Sequence, residues 1–156
     1  MTKPSGRQFG DFDPEFYDPD TAKIRIVSVP YDGTSTWVKG ADRGPAAILA
    51  ASYNLEFYDI ETDSEVFRRG IATDPPLAPP DSPEQVVAAV RRRIESLLDA
   101  GTFPVVLGGE HSVSIGAIEA MAARHENLTV LQLDAHADRR DAYEGARYNH
   151  ACVMAR

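Results

Sequence analysis

The sequence predicts the α/β fold class, with a mostly parallel sheet. Three short segments are apolar and rich in β-branched residues, as buried strands are, and segments with helical periodicity separate them. Strands that alternate with helices form βαβ units, whose parallel sheet is covered on both faces. With 156 residues, of which 43% are hydrophobic, the chain is long enough to bury a core of its own.

The N-terminal part of the chain contains the first predicted strand and helix. Residues 1–20 are rich in Asp, Pro, Gly and aromatic residues without any period, so we expect an extended arm ahead of a single domain over residues 21–156. The β-branched run at 24–29 predicts a strand. Pro45, followed by alanines and a leucine, predicts the start of a helix, because proline favours the first helical position.

A helix, a strand, a second helix and another strand are predicted after the proline-rich loop of residues 73–83. Residues 82–85, Ser-Pro-Glu-Gln, have the capping-box pattern, and apolar residues then recur at helical spacing until Gly101. The remaining elements are a strand, a helix and a strand at 103–107, 112–125 and 128–133.

The charge and the cysteine content narrow the classes of partner. The net charge of −8 disfavours nucleic acids and anionic membranes, which bind clustered Lys and Arg; it suits a cationic substrate or simply solubility. No apolar run approaches the ~18 residues of a transmembrane helix, and the N-terminus lacks the apolar core of a signal peptide. Cys152 is the single cysteine, which favours the reducing cytoplasm, and we interpret it as a small buried residue rather than a nucleophile.

Potential metal ligands follow the predicted strand at 128–133. Asp134, His136 and Asp138 occupy alternate positions, so an extended chain would direct all three side chains to one side. Two carboxylates and one imidazole suit Mn²⁺ or another hard-to-borderline divalent ion, whereas zinc sites contain more Cys or His. A cation would also reduce the repulsion between the carboxylates. The alternative for the two aspartates is an ordinary role in capping a helix.

Two more histidines lie close to the same predicted edge of the sheet. His111 follows the strand at 103–107, and the carboxyl ends of parallel strands meet at one edge, so we expect His111 to join the aspartates as a ligand. The alternative is a plain loop residue. His150 could transfer protons near a metal site, because imidazole titrates near neutrality, or could be a surface residue. Asp32 and Glu110 could either orient the ligands or stabilise turns.

These motifs resemble those of the ureohydrolases, the arginase and agmatinase family. The resemblance covers roughly residues 24–156. Its most specific part is the pair Gly-Gly-Glu-His-Ser at 108–112 and Asp-Ala-His-Ala-Asp at 134–138. Val-Pro-Tyr-Asp-Gly at 29–33 belongs to it as well, and the stretch at 143–152 is similar to agmatinases in particular.

The resemblance implies a three-layer α-β-α fold with a binuclear Mn²⁺ site. Four residues match metal ligands of the family: His111, Asp134, His136 and Asp138. His150 matches the family's proton-transferring histidine. The implied reaction is hydrolysis of a guanidino C–N bond in a small cationic substrate, first of all agmatine, to putrescine and urea. Guanidinobutyrate, arginine and formiminoglutamate are the alternative substrates, and trimers or hexamers are the implied assemblies.

One feature of the family pattern is missing from the sequence. The family has a second ligand motif, Asp-x-Asp, on a later strand, and no such motif follows Asp138. We therefore expect this chain to correspond to the N-terminal half of the family domain, with an incomplete sheet. An alternative hypothesis is that the chain is an inactive fragment that binds metal weakly at most.

Overall fold

A parallel sheet of three strands forms the centre of the structure. The computed structural model describes residues 8–78 and 82–156. The strands are β1 (Ile24–Val29), β2 (Ile71–Thr73) and β3 (Phe103–Gly108), in the order β2-β1-β3. Both β2 and β3 run parallel to β1, and β1 pairs with β3 along its whole length. The predicted α/β class and the parallel sheet are therefore confirmed.

Helices connect and cover these strands within the described ranges. The α-helices are α1 (Gly44–Ala51), α2 (Pro83–Asp99) and α3 (Val113–Ala122). Short 3-10 helices span Pro14–Tyr17, Ala41–Arg43, Ser52–Asn54, Val66–Arg69 and His150–Ala155. No helix within the described residues is both long enough and apolar enough to cross a membrane.

The longest helix, α2, forms as its sequence predicts. The Ser82 hydroxyl accepts a hydrogen bond from the backbone N–H of Gln85 at 3.3 Å and so caps the helix. The buried face of α2 includes aliphatic residues at spacings of three and four: Val86, Val90, Ile94 and Leu97. Helix α3 lies so close to α2 that a Cβ on Gly116 would be 2.3 Å from the carbonyl oxygen of Val87, which explains the glycine at this position.

Apolar side chains cover both faces of the sheet. Alternate residues of a strand point to opposite sides, so Val27 packs with α2 and α3 while Ile26 packs in an aromatic cluster. In that cluster the ring of Phe12 lies 4.7 Å from the ring of Phe57 and 5.2 Å from that of Phe67. The described part of the N-terminal segment therefore packs on the sheet. The domain boundary at residue 20 stays a prediction.

Two details of the sheet differ from the sequence-based expectation. Strand β2 was not predicted, because three residues are too few to show a period. The predicted strand at 128–133 is wrong: the segment forms no strand, and Leu131 and Leu133 are 82% and 90% exposed. An apolar cavity of about 380 Å³, lined by Val106 and Ile118 among others, lies between this segment and β3. A strand needs a neighbouring backbone for its N–H and C=O groups, and within the described chain this segment pairs with none.

Candidate metal centre

The loop that carries His111 is anchored to the end of β1. The backbone N–H of Gly109 donates to the carbonyl oxygen of Val29 at 2.9 Å, and that of Glu110 donates to the carbonyl oxygen of Tyr31 at 2.9 Å. A Cβ on Gly109 would lie 2.0 Å from the Tyr31 carbonyl oxygen, so only glycine fits this approach. His111 is thereby held at the carboxyl edge of the sheet, where the sequence places it.

The two acidic residues beside this loop stabilise turns. The Glu110 carboxylate accepts hydrogen bonds from the backbone N–H and the hydroxyl of Ser112, at 2.9 and 2.6 Å, just ahead of α3. The Asp32 carboxylate accepts hydrogen bonds from the backbone N–H of Gly40, at 2.5 Å, and from the Ser35 hydroxyl. The bond from Ser35 is the main reason that the pKa of Asp32 is lowered. Of the two predicted roles, turn stabilisation is the one that these contacts show.

One imidazole and two carboxylates meet at the sheet edge. His111 Nδ1 lies 2.7 Å from Asp138 Oδ2 and 3.7 Å from Asp134 Oδ2. The ligand-type atoms of the three residues all lie within 4.8 Å of one another. Their side chains are only 11–28% exposed, so the site is accessible but partly shielded from water. The structure thus brings together three of the four residues predicted as ligands, and their binding of a metal stays a prediction.

The chain bends between Asp134 and Asp138 instead of staying extended. The Asp134 carboxylate accepts the backbone N–H of His136 at 2.8 Å, and Asp138 has a left-handed backbone with a φ of 46°. His136 lies outside the triad, with 82% of its side chain exposed and its Nδ1 3.4 Å from Asp134 Oδ1. The expectation of one extended segment with all three side chains on one side is therefore wrong, because the short Asp134 side chain bonds its own backbone two residues on.

The hydrogen bond that forms this bend also affects the protonation of the Asp134 carboxylate. The hydrogen bond from the His136 backbone N–H is the main cause of the lowered pKa of Asp134, and the nearby imidazoles of His111 and His136 lower it further. A lowered pKa means that Asp134 is ionised at neutral pH. An ionised carboxylate beside an imidazole is able to bind a divalent cation.

His150 lies in a pocket that it shares with the motif at 134–138. The pocket has a volume of about 480 Å³, and the side chains that line it include His136, Asp138, Arg139, Arg140, Tyr143 and His150. Two backbone hydrogen bonds, Arg140 N–H to Ala151 and Met154 N–H to Asp138, tie the 3-10 helix that begins at His150 to this motif, at 3.2 and 2.9 Å. The residue predicted to transfer protons therefore lines the same cavity as a predicted ligand.

Thr34 and Tyr143 contact His150, and neither was predicted as a site residue. The Thr34 hydroxyl lies 3.2 Å from His150 Nδ1, and the Tyr143 ring centroid lies 5.7 Å from that of His150. No local signal identifies Thr34, because 116 residues separate it from His150. Tyr143 could have been found from its place in the agmatinase-like stretch. Cys152 is fully buried, as predicted, and burial raises the pKa of its thiol.

Comparison with known proteins identifies the family of this chain. A family model described as the arginase family matches residues 22–156. The chain belongs to the arginase family. Within it, the chain is 41% identical over 142 residues to the N(1)-aminopropylagmatine ureohydrolase of Synechocystis sp., an alignment that covers 86% of this chain and 46% of that protein. It is 34% identical over 141 residues to the agmatinase of Pyrococcus horikoshii, with 89% and 48% covered.

Solved structures of arginase-family proteins share the fold. The agmatine ureohydrolase of Thermoplasma volcanium matches with a TM-score of 0.80 and 32% identity, covering 86% of this chain and 45% of that one. The proclavaminate amidino hydrolase from Streptomyces clavuligerus matches with a TM-score of 0.82 and 25% identity, covering 99% and 50%. The arginase-like α/β fold is therefore confirmed. The chain spans about half the length of the curated relatives it matches.

Proposed function

We propose that the chain contributes to a manganese-dependent hydrolase that cleaves a guanidino C–N bond and releases urea, with agmatine as the preferred substrate. The observation that carries the proposal is the convergence of His111, Asp134 and Asp138 within 4.8 Å, next to a pocket that also contains His150. The names of the relatives, agmatinase and N(1)-aminopropylagmatine ureohydrolase, support the same class of substrate.

The donor atoms of the site fit a divalent cation. Two carboxylates this close repel each other unless a positive charge lies between them, and His111 supplies a nitrogen ligand. A set rich in oxygen with few imidazoles and no thiolate suits Mn²⁺. His136, which is exposed beside Asp134, is our candidate for a further ligand. When bound, Mn²⁺ would act as a Lewis acid that activates water and stabilises developing negative charge.

The residues of this chain bind the substrate and supply a proton. Asp134 and Asp138 place negative charge at the site, which attracts a guanidinium group. His150 lines the pocket, and its Nε2 makes no hydrogen bond to any residue of the described ranges, so this nitrogen can donate a proton to the departing amine. The partial shielding of the triad from water strengthens these charge interactions.

Two arginines in the pocket support a second class of substrate. Arg139 and Arg140 both line the pocket, and the guanidinium of Arg140 lies 5.0 Å from the ring centroid of Tyr143. Guanidinium groups bind carboxylates in a favourable planar geometry and repel a cationic amine. A guanidino acid, such as guanidinobutyrate or arginine, is therefore the alternative substrate.

Manganese binding by the wild-type chain and by an Asp138→Asn variant tests the metal centre. Removing a residue that only hydrogen-bonds a metal ligand lowers metal affinity roughly 10- to 100-fold. Asp138 is a predicted ligand itself, so we expect at least that loss of affinity when the variant is measured by equilibrium dialysis. Asp141→Asn is the matched control, because its side chain is 79% exposed and the substitution is the same. A wild-type chain that binds no Mn²⁺, or equal binding by Asp138→Asn, would contradict the proposal.

Product release from a panel of substrates tests the reaction. Urea from agmatine supports the preferred substrate, urea from guanidinobutyrate or arginine supports the alternative, and formamide from formiminoglutamate supports a further member of the class. If Mn²⁺ binds and no compound yields product, these 156 residues are an inactive metal-binding fragment and the catalytic proposal is wrong for them.

We also propose that the chain forms homo-oligomers in the cytoplasm. The single cysteine suits a reducing compartment. The exposed Leu131 and Leu133 provide apolar surface for association. A trimeric or hexameric mass in light scattering supports the assembly, and a monodisperse monomer at all concentrations would contradict it.

A further inference from the structure

The Thr34 side chain holds the imidazole of His150 from a distant part of the chain. Thr34 Oγ1 lies 3.2 Å from His150 Nδ1 and accepts a hydrogen bond from the His150 backbone N–H at 3.0 Å. We infer that Thr34 is a positioning residue that selects the neutral His150 tautomer with its proton on Nε2. The inference rests on the proposed function, in which the imidazolium form of His150 donates its Nε2 proton to the leaving group.

The hydrogen-bonding capacity of the Thr34 hydroxyl explains this tautomer. A hydroxyl has one hydrogen to donate and two lone pairs with which to accept. One lone pair receives the His150 backbone N–H, and within the described chain the only acceptor placed for the hydroxyl hydrogen is His150 Nδ1. Thr34 is buried, at 9% exposure, so a hydroxyl hydrogen without an acceptor would be unfavourable. Donation to Nδ1 leaves the ring proton on Nε2.

The Thr34 hydroxyl can also accept a hydrogen bond from the protonated ring. In the imidazolium form, His150 Nδ1–H donates to the second lone pair of Thr34 Oγ1. The ring therefore keeps one orientation in both protonation states. When the imidazolium gives its Nε2 proton to the leaving amine, the ring is left with its proton on Nδ1, and proton exchange with water at the two nitrogens then restores the Nε2–H tautomer. Because Nδ1 is engaged by Thr34, Nε2 is the ring nitrogen left for a substrate in the pocket that His150 lines.

Neighbouring contacts restrain both partners of this hydrogen bond. The ring of Tyr143 meets the imidazole of His150 edge-on, with an angle of 82° between the planes. The Asn149 side chain caps the 3-10 helix that begins at His150. Asp32, two residues before Thr34, accepts backbone hydrogen bonds that fold the loop containing Thr34. The threonine and the histidine are thus both held in place, and their contact orients the ring.

Nitrogen-15 NMR of the imidazole rings tests the inference without requiring activity. Long-range ¹H–¹⁵N spectra distinguish the neutral tautomers, and we expect wild-type His150 to be the Nε2–H form. Thr34→Ser keeps the hydroxyl and should keep that form, whereas Thr34→Val keeps the shape and should give a mixture. Thr36→Val is the matched control, because Thr36 is exposed in the same loop. A wild-type Nδ1–H tautomer would overturn the inference even if Thr34→Val failed to fold, and so would a folded Thr34→Val with the wild-type spectrum.

Steady-state urea release adds a kinetic test. Thr34→Val should lower kcat roughly tenfold, a part of the about 100-fold or more that a general acid contributes, with KM little changed. Thr34→Ser should restore the rate, and Thr36→Val should match wild type. A loss confined to KM, or an equal loss in Thr36→Val, would overturn the positioning role. A wild-type chain that releases no urea contradicts the proposed function, whereas the NMR spectrum still decides the role of Thr34.

Discussion

The carboxylate of Asp74 joins three elements of the fold, and we expect its removal to lower the free energy of unfolding. Asp74 follows β2, and 3% of its side chain is exposed. It accepts a hydrogen bond from Arg93 Nε on α2 at 2.8 Å, and it pairs with the guanidinium of Arg25 on β1. Its backbone N–H donates to the carbonyl oxygen of Ile26 at 2.8 Å and so extends the pairing of β2 with β1.

An Asp74→Ala substitution leaves both arginines without their counter-ion. Removing one partner of a buried ion pair costs about 3–5 kcal/mol, because the remaining charge is uncompensated. Arg25 is 14% exposed and cannot readily reach water, but Arg93 is 31% exposed and can turn towards it. We therefore expect a loss near the lower limit, about 3 kcal/mol. For a chain of this length, such a loss corresponds to a fall in Tm of roughly 6–12 °C.

Urea unfolding followed by circular dichroism measures this loss. Asp99→Ala is the matched control, since Asp99 is 72% exposed and its ion pair with Arg124 lies at the surface. Exposed pairs contribute about 0–1 kcal/mol, so the control should unfold close to wild type. If Asp74→Ala loses no more free energy of unfolding than Asp99→Ala, the buried pairing does not stabilise the fold as reasoned.

Two further predictions concern the hydrogen bonds of Asp32 and the exposed Leu131 and Leu133. The hydrogen bonds from Ser35 and from the backbone of Gly40 lower the pKa of Asp32 below its ordinary value of 3.8, so its contribution to stability is present above about pH 4 and lost as the pH falls through the lowered pKa. Asp32→Asn should therefore be less stable than wild type at pH 7, and the difference in urea midpoint should shrink below about pH 4; an equal difference at pH 7 and pH 3 would contradict this. Replacing Leu131 and Leu133 by Ser should reduce self-association in analytical ultracentrifugation, while the free energy of unfolding changes by less than about 0.5 kcal/mol because both are exposed. Unchanged association would exclude these leucines as the contact surface.

Local patterns in the sequence were enough to predict the framework around the site. The β-branched runs at 24–29 and 103–107 form β1 and β3, and the capping box at 82–85 begins α2. The same patterns placed His111 at the carboxyl edge of the sheet, because it directly follows β3. Each of these properties depends on residues that are neighbours in the sequence, and so the sequence alone could determine them.

The tertiary structure decided which distant segments meet. The segment at 128–133 has the composition of a strand but forms none, since no described strand pairs with it. The bend that separates His136 from Asp134 and Asp138 depends on one hydrogen bond that composition does not reveal. Thr34 reaches a histidine 116 residues away. A strand ladder and a side-chain contact both need a partner from another part of the chain. The sequence by itself therefore determined the elements and the candidate ligands, and only the folded chain decided how they pair.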